Sequence, residues 1–178
     1  MTTLSTLELM MVLLPIIFML HDFEEIIMFR LWLRHNHNEL QRRFPYFEAF
    51  LTRHHIFDYT TATFSIAIAH EFLLISLVCY LAIYLQMPHW WLMTFAGFFV
   101  HLLIHVAQWL IYGKYIPAII TTLLALPYCV YTLYEFINAN LLTPSQLFLW
   151  AVIGIVLMTF SIPLAFFWAN IFHHRTHS

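Results

Sequence analysis

The chain has 178 residues, 62% of them hydrophobic and only 9% charged, with a mean hydropathy of +0.80. Soluble domains carry about 25% charged residues, so a water-soluble fold is excluded and a single membrane domain over 1–178 is expected. A formal net charge of −2, from seven Lys and Arg against nine Asp and Glu, leaves too few cations for a nucleic-acid surface.

A spanning helix needs about 20 mainly apolar residues, and five stretches qualify: about 4–29, 60–85, 89–112, 116–137 and 146–172. The predicted fold is therefore all-α, a polytopic membrane bundle of five transmembrane helices. The first run has no basic leader and no small-residue cleavage site, so it reads as a retained span rather than a removable signal. Pro15 in that run, Pro127 in the fourth and Pro163 in the fifth each kink a helix and free a carbonyl.

Residues 30–59 follow, rich in Arg, His and aromatic side chains. They predict an interfacial segment on the cytoplasmic leaflet, with a short amphipathic helix near 39–54. Asp58 is expected to cap the second helix, and His54 and His55 read as interfacial. The remaining connections are short: Gln86-Met87-Pro88, Gly113-Lys114-Tyr115, and 138–145 containing Thr143-Pro144. Cys79 and Cys129 lie in apolar runs without metal-type spacing and read as small hydrophobes. His173, His174 and His177 are expected in a solvated tail.

Orientation follows from the basic residues Arg30, Arg34, Arg42, Arg43, Arg53, Lys114 and Arg175. Five alternating spans with the N-terminus outside put all seven on the cytoplasmic side, as the positive-inside rule requires. A four- or six-helix reading spoils that asymmetry.

The first span carries His21-Asp22-Phe23-Glu24-Glu25, where one charged side chain at mid-bilayer costs roughly 2.5–3.5 kcal/mol. Candidate partners are His70 and Glu71 on the second span and His101 and His105 on the third. At about 1.5 Å of rise per residue, Glu25 lies about 6 Å and His21 about 12 Å from the inner helix end. On the same scale His105 lies at about 10 Å, and His70, Glu71 and His101 at about 15–17 Å. Three spans thus bring four imidazoles and three carboxylates to one slab.

Spacing sharpens this. Glu24 and Glu25 stand three and four residues from His21, on one helix face. His101 and His105 are four apart, the separation at which two imidazoles grip one metal ion. Leu102 holds the place of a zinc-protease glutamate, so a catalytic base comes from another helix, with Glu24, Glu25 and Glu71 the candidates. The donor set His21, Glu24, Glu25, His70, His101 and His105 suits one or two ions of zinc, iron or manganese. A proton or ion relay and a structural hydrogen-bonded network satisfy the same spacing.

On these residues the chain resembles the family of small bacterial membrane proteins named after its H-x-x-E-E motif, here His21-x-x-Glu24-Glu25, followed by Trp32-Leu33-Arg34 and Arg43-Phe44-Pro45. The family's histidine-bearing helix and Tyr-x-Pro-Gly element are matched by His101 to His105 and Tyr115-Ile116-Pro117, with Ala118 in place of the glycine. The resemblance implies a bacterial inner-membrane protein in which His21, Glu24, Glu25 and His105 are functional, and it implies no particular reaction.

The expected function is a membrane-embedded, metal-dependent enzyme acting on a membrane lipid or another apolar substrate, with hydrolytic or lyase chemistry favoured over oxidative. The alternatives are a proton- or ion-coupled small transporter and an accessory membrane protein. No internal repeat supports a transporter of inverted halves.

Overall fold

The computed structural model describes residues 5–177 and is all-helical among them. Helix α1 (Thr6–Arg43) opens with a capping box, in which the Ser5 hydroxyl accepts from the Glu8 amide at 3.2 Å and the Glu8 carboxylate accepts from the Ser5 amide at 2.8 Å. It runs unbroken for 38 residues. The first helix therefore does not end near 29, and residues 30–43, expected in an interfacial loop, prolong it. Hydropathy falls there, but Leu, Arg, Glu and Gln keep helix propensity high. Leu33 and Leu40, seven residues apart and both buried, keep an apolar stripe.

Phe44 precedes a proline, which disfavours the helical region, and α2 (Pro45–Arg53) starts with that proline in its first turn. The amphipathic helix expected over 39–54 is thus the tail of α1 followed by a separate nine-residue helix. A 3-10 turn (Ile56–Asp58) follows, entered through His55 at φ 56°. The cap of α3 (Thr61–Tyr84) is Thr60, whose hydroxyl accepts from the Thr63 amide at 3.0 Å. Asp58, expected in that role, instead lies 3.3 Å from His55.

The chain continues as α4 (Pro88–Tyr112), α5 (Ile119–Asn138) and α6 (Pro144–His177). Helix α6 outruns its expected end and takes in the histidines read as a tail. His173 packs its ring 5.7 Å from that of Tyr59 and lies 3.4 Å from the Thr63 hydroxyl. Helices α1, α3, α4, α5 and α6 are each long and apolar enough to cross a membrane, which makes this a multi-pass membrane protein.

By connectivity, α1, α4 and α6 finish at the end of the bundle where α3 and α5 begin, and all seven Lys and Arg belong to that end. There Lys114 Nζ lies 2.9 Å and Arg43 Nη1 2.9 Å from the Glu39 carboxylate, tying the α4–α5 loop to the α1 extension.

The opposite end holds an apolar core. The Trp91 ring stacks on Phe95 at 4.9 Å and on Phe136 of α5 at 5.4 Å, against Met11, Leu14 and Phe18 of α1. Pro15 has no amide hydrogen, so the Met11 carbonyl loses its helical donor. The indole nitrogen of Trp91 at 3.1 Å and the thiol of Cys79 at 3.2 Å donate to it instead. Both cysteines are buried and free. Helices α4 and α6 approach closely because Gly154 has no Cβ; one built there would collide with the Met93 backbone.

Candidate metal centre

His21 points from α1 into the space between α4 and α5 and is only 1% exposed. Its ring centroid lies 5.3 Å from that of His101 and 5.2 Å from that of His105. The Nε2 atoms of His101 and His105 are 3.0 Å apart, as their four-residue spacing allows. One nitrogen from each ring falls within 4.8 Å of the other two, close enough for all three to ligate one ion. His21 Nε2 and His105 Nδ1 are buried and have no hydrogen-bond partner.

The two glutamates of the motif have separate places. Glu24 is at the start of α5, where the first amides have no helical acceptor. One of its oxygens accepts from the Thr121 amide at 2.8 Å and the Thr121 hydroxyl at 2.7 Å, and the other accepts from the Tyr115 hydroxyl at 2.8 Å. It is an N-cap supplied by another helix, a negative charge at the positive end of the α5 dipole. Burial first, and then the bond to Glu24, push the Tyr115 phenol above its usual range, so it remains a donor.

That cap reaches His21. The Thr121 hydroxyl has one proton, and its shortest contact is the Glu24 carboxylate, so its lone pairs face His21 Nδ1 at 3.4 Å. A hydrogen on Nδ1 donated there leaves the Nε2 lone pair directed at the other imidazoles, the outer-shell orientation that metal-ligating histidines use. Ala118 makes the turn into α5 at φ 68°, a left-handed conformation in which glycine is unstrained and alanine is not.

Glu25, next in sequence, turns away from the cap and lines two cavities. The larger, about 290 Å³, runs between α1, α2 and α4, walled by Phe29, Trp32, Leu40 and Leu51, with Glu25, His105 and Gln108 also lining it. The smaller, about 170 Å³, lies between α1, α3, α4 and α6, and Asp22, Glu25, Glu71 and His101 line it.

Of the residues expected from sequence, the structure brings His21, His101, His105 and Glu25 together and assigns Glu24 to the cap. Glu71 sits on the far side of Asp22, its Oε2 accepting from the Ser161 hydroxyl at 3.0 Å. His70 lies beside it, Nδ1 3.5 Å from Glu71 Oε1, with its side chain 22% exposed and in neither metal-type group. Sequence reasoning passed over Asp22, 1% exposed, which with Glu25 and His101 forms a second group of potential ligands within 4.8 Å. The rule that makes any ionisable residue in an apolar run suspect applied to it equally. Tyr115 and Thr121 carry no such signal, because hydroxyls are ordinary at helix starts.

Searches for similar curated proteins and similar solved structures found no match. A family model described as "Protein of unknown function with HXXEE motif" matches residues 12–132, spanning α1, α2, α3, α4 and most of α5. The chain therefore belongs to the HXXEE-motif family.

Proposed function

We propose that this protein is a membrane-embedded metalloenzyme that binds a divalent transition metal through His21, His101 and His105 and acts on a lipid or another apolar substrate. The observation that carries this reading is the convergence of three imidazoles, from two helices, beside an apolar cleft. Three neutral imidazoles with a carboxylate alongside are the donor set of a zinc-like site with one open position. Iron and manganese fit the same nitrogen and oxygen donors.

Electrostatics favours a cation there. Asp22, Glu25 and Glu71 bring three carboxylates into the spanning region, at roughly 8–10 kcal/mol together if charged and unpaired. A divalent ion offsets that cost.

Substrate class follows from the larger cleft. Along α1 it extends from Glu25 to Leu40, fifteen residues or about 22 Å, toward the basic end, with α2 as its roof. An alkyl chain fits those walls, and its polar group reaches Glu25 and His105. When bound, the metal would supply Lewis acidity and a water activated at neutral pH. Glu25, the carboxylate facing both the cleft and the histidines, would move the proton: in hydrolysis from the attacking water to the leaving group, and in lyase chemistry from the substrate carbon to the leaving group. Glu24 works through Thr121 to hold the His21 tautomer and is a positioning residue. By the positive-inside rule the basic end is cytoplasmic, so the cleft opens to the inner leaflet of a bacterial cytoplasmic membrane.

Metal analysis of detergent-purified full-length protein tests this. Wild type retains zinc, iron or manganese, and His21→Ala and His105→Ala lose it while remaining folded. Folded wild type that takes up none of these ions after reconstitution would overturn the reading.

A further inference from the structure

We propose that Asp22, Glu25, Glu71 and His101 form a second divalent-cation site next to the three-histidine centre, so that the loaded protein is dinuclear, with Glu25 binding through one oxygen and keeping the other for the proton transfer assigned to it above. This rests on the metalloenzyme reading above. Asp22 and Glu25 are three apart on α1 and face α3 and α6, whereas His21, one residue before Asp22, is turned about 100° toward α4 and α5. The motif helix thus presents ligands on two adjacent faces.

All four residues line the 170 Å³ cavity, and no Lys or Arg is among the described residues lining it. Ligand atoms of Asp22, Glu25 and His101 lie within 4.8 Å of one another. Asp22 is 1% exposed, and its Oδ2 has no hydrogen-bond partner. Glu71 lines the same cavity, outside the 4.8 Å group. Its Oε2 is fixed by the Ser161 hydroxyl at 3.0 Å, while its Oε1 has no hydrogen-bond partner and lies 3.5 Å from His70 Nδ1.

Carboxylate oxygens with a single imidazole make a harder donor set than three imidazoles. Manganese(II) and iron(II) suit it better than copper. His101 belongs to both groups, and with its ring proton released to solvent on metal loading the imidazolate offers one nitrogen to each ion.

Manganese stoichiometry tests the proposal. Full-length protein in detergent is stripped with chelator, reloaded with manganese(II), freed of excess and assayed for metal per chain. The comparison set is wild type, Asp22→Asn, Asp22→Asn/Glu71→Gln and His105→Ala, each checked for folding by its thermal transition. The expected result is two ions per chain in wild type and one in the Asp22 variants, with the magnetic coupling of a manganese pair seen by electron paramagnetic resonance in wild type alone. One ion in wild type, lost in His105→Ala and kept in Asp22→Asn, overturns the second site and leaves the histidine centre standing. Two ions in both wild type and the double variant overturn the assignment to these carboxylates. No ion in folded wild type overturns both.

Discussion

The two halves of the bundle differ in the kind of polar atom they bury without a partner. Away from the basic end, Trp91 and Cys79 share the carbonyl freed by Pro15 and Tyr128 donates to the Met10 carbonyl at 2.7 Å, and among the described residues the buried side-chain atoms without a partner there are the hydroxyls of Ser76 and Thr132. Toward the basic end, buried atoms of His21, Asp22, Glu71 and His105 have no hydrogen-bond partner. A hydroxyl left without a partner costs far less than an ionisable group left without one in the same setting. The ionisable atoms toward the basic end are the ones that the proposed ions would satisfy. The first half is a scaffold, and the second is a site held open by it.

Substitutions can break that division or sharpen it. The largest effect is expected in the scaffold, where Trp91→Ala removes a fully buried stacked ring and costs about 3–5 kcal/mol. Unfolding in detergent should register the loss, while metal content per folded chain stays that of wild type. A matching loss of metal would show that the halves are not separable.

The paired glutamates separate the two roles within the site half. Glu24→Gln loses a charged cap, at about 1 kcal/mol, and loosens His21, with metal affinity falling roughly 10–100-fold. Glu25→Gln should leave the thermal transition at or above that of wild type, because a neutral amide of the same shape replaces a half-buried carboxyl, while ending turnover. Equal behaviour of the two variants in the melting assay would contradict the assignment of Glu24 to α5.

Ala118→Gly is a smaller change of the opposite sign. Relief of the left-handed strain stabilises the α5 start by up to about 1 kcal/mol, seen as a raised melting temperature that Ala118→Val reverses.

The smallest effect lies outside the spans. The hydrogen bond from His37 at 2.9 Å, with a further one from Thr52, holds the Glu48 carboxyl below its usual range. A depressed folded-state value means the contribution is present above the ordinary carboxylate range and is lost as pH falls through the folded value. The melting difference between wild type and Glu48→Gln should therefore shrink as pH falls below the ordinary carboxylate range. A difference that grows on acidification would be inconsistent with this sign.

Much of the architecture was legible because membrane solvation leaves few solutions. Five apolar runs of spanning length can only be helices, and the basic residues fixed which ends lie together. Boundaries were less legible where hydropathy and helix propensity part company. At Arg30 the chain becomes polar enough to leave the bilayer but remains a good helix former, so α1 ends only before Pro45. His173 was likewise read from its polarity, although Tyr59 and Thr63 give it a packing surface.

In the site, the spacing of His21, His101 and His105 could be read as a convergence, since period and depth are both set by helix geometry. The division between Glu24 and Glu25 could not. Adjacent residues differ by about 100° in direction, and which one meets α5 depends on how that helix packs. Asp22 was hidden inside a motif that names its neighbours.

The central claim is that three imidazoles meet on one ion, and X-ray absorption at the zinc edge tests it most directly. Wild-type protein carrying one equivalent of zinc should show nitrogen or oxygen neighbours at about 2.0–2.1 Å, with the outer-shell scattering of three imidazole rings, and His105→Ala should retain no zinc to scatter. A spectrum without imidazole scattering, or one unchanged by His105→Ala, would contradict the account.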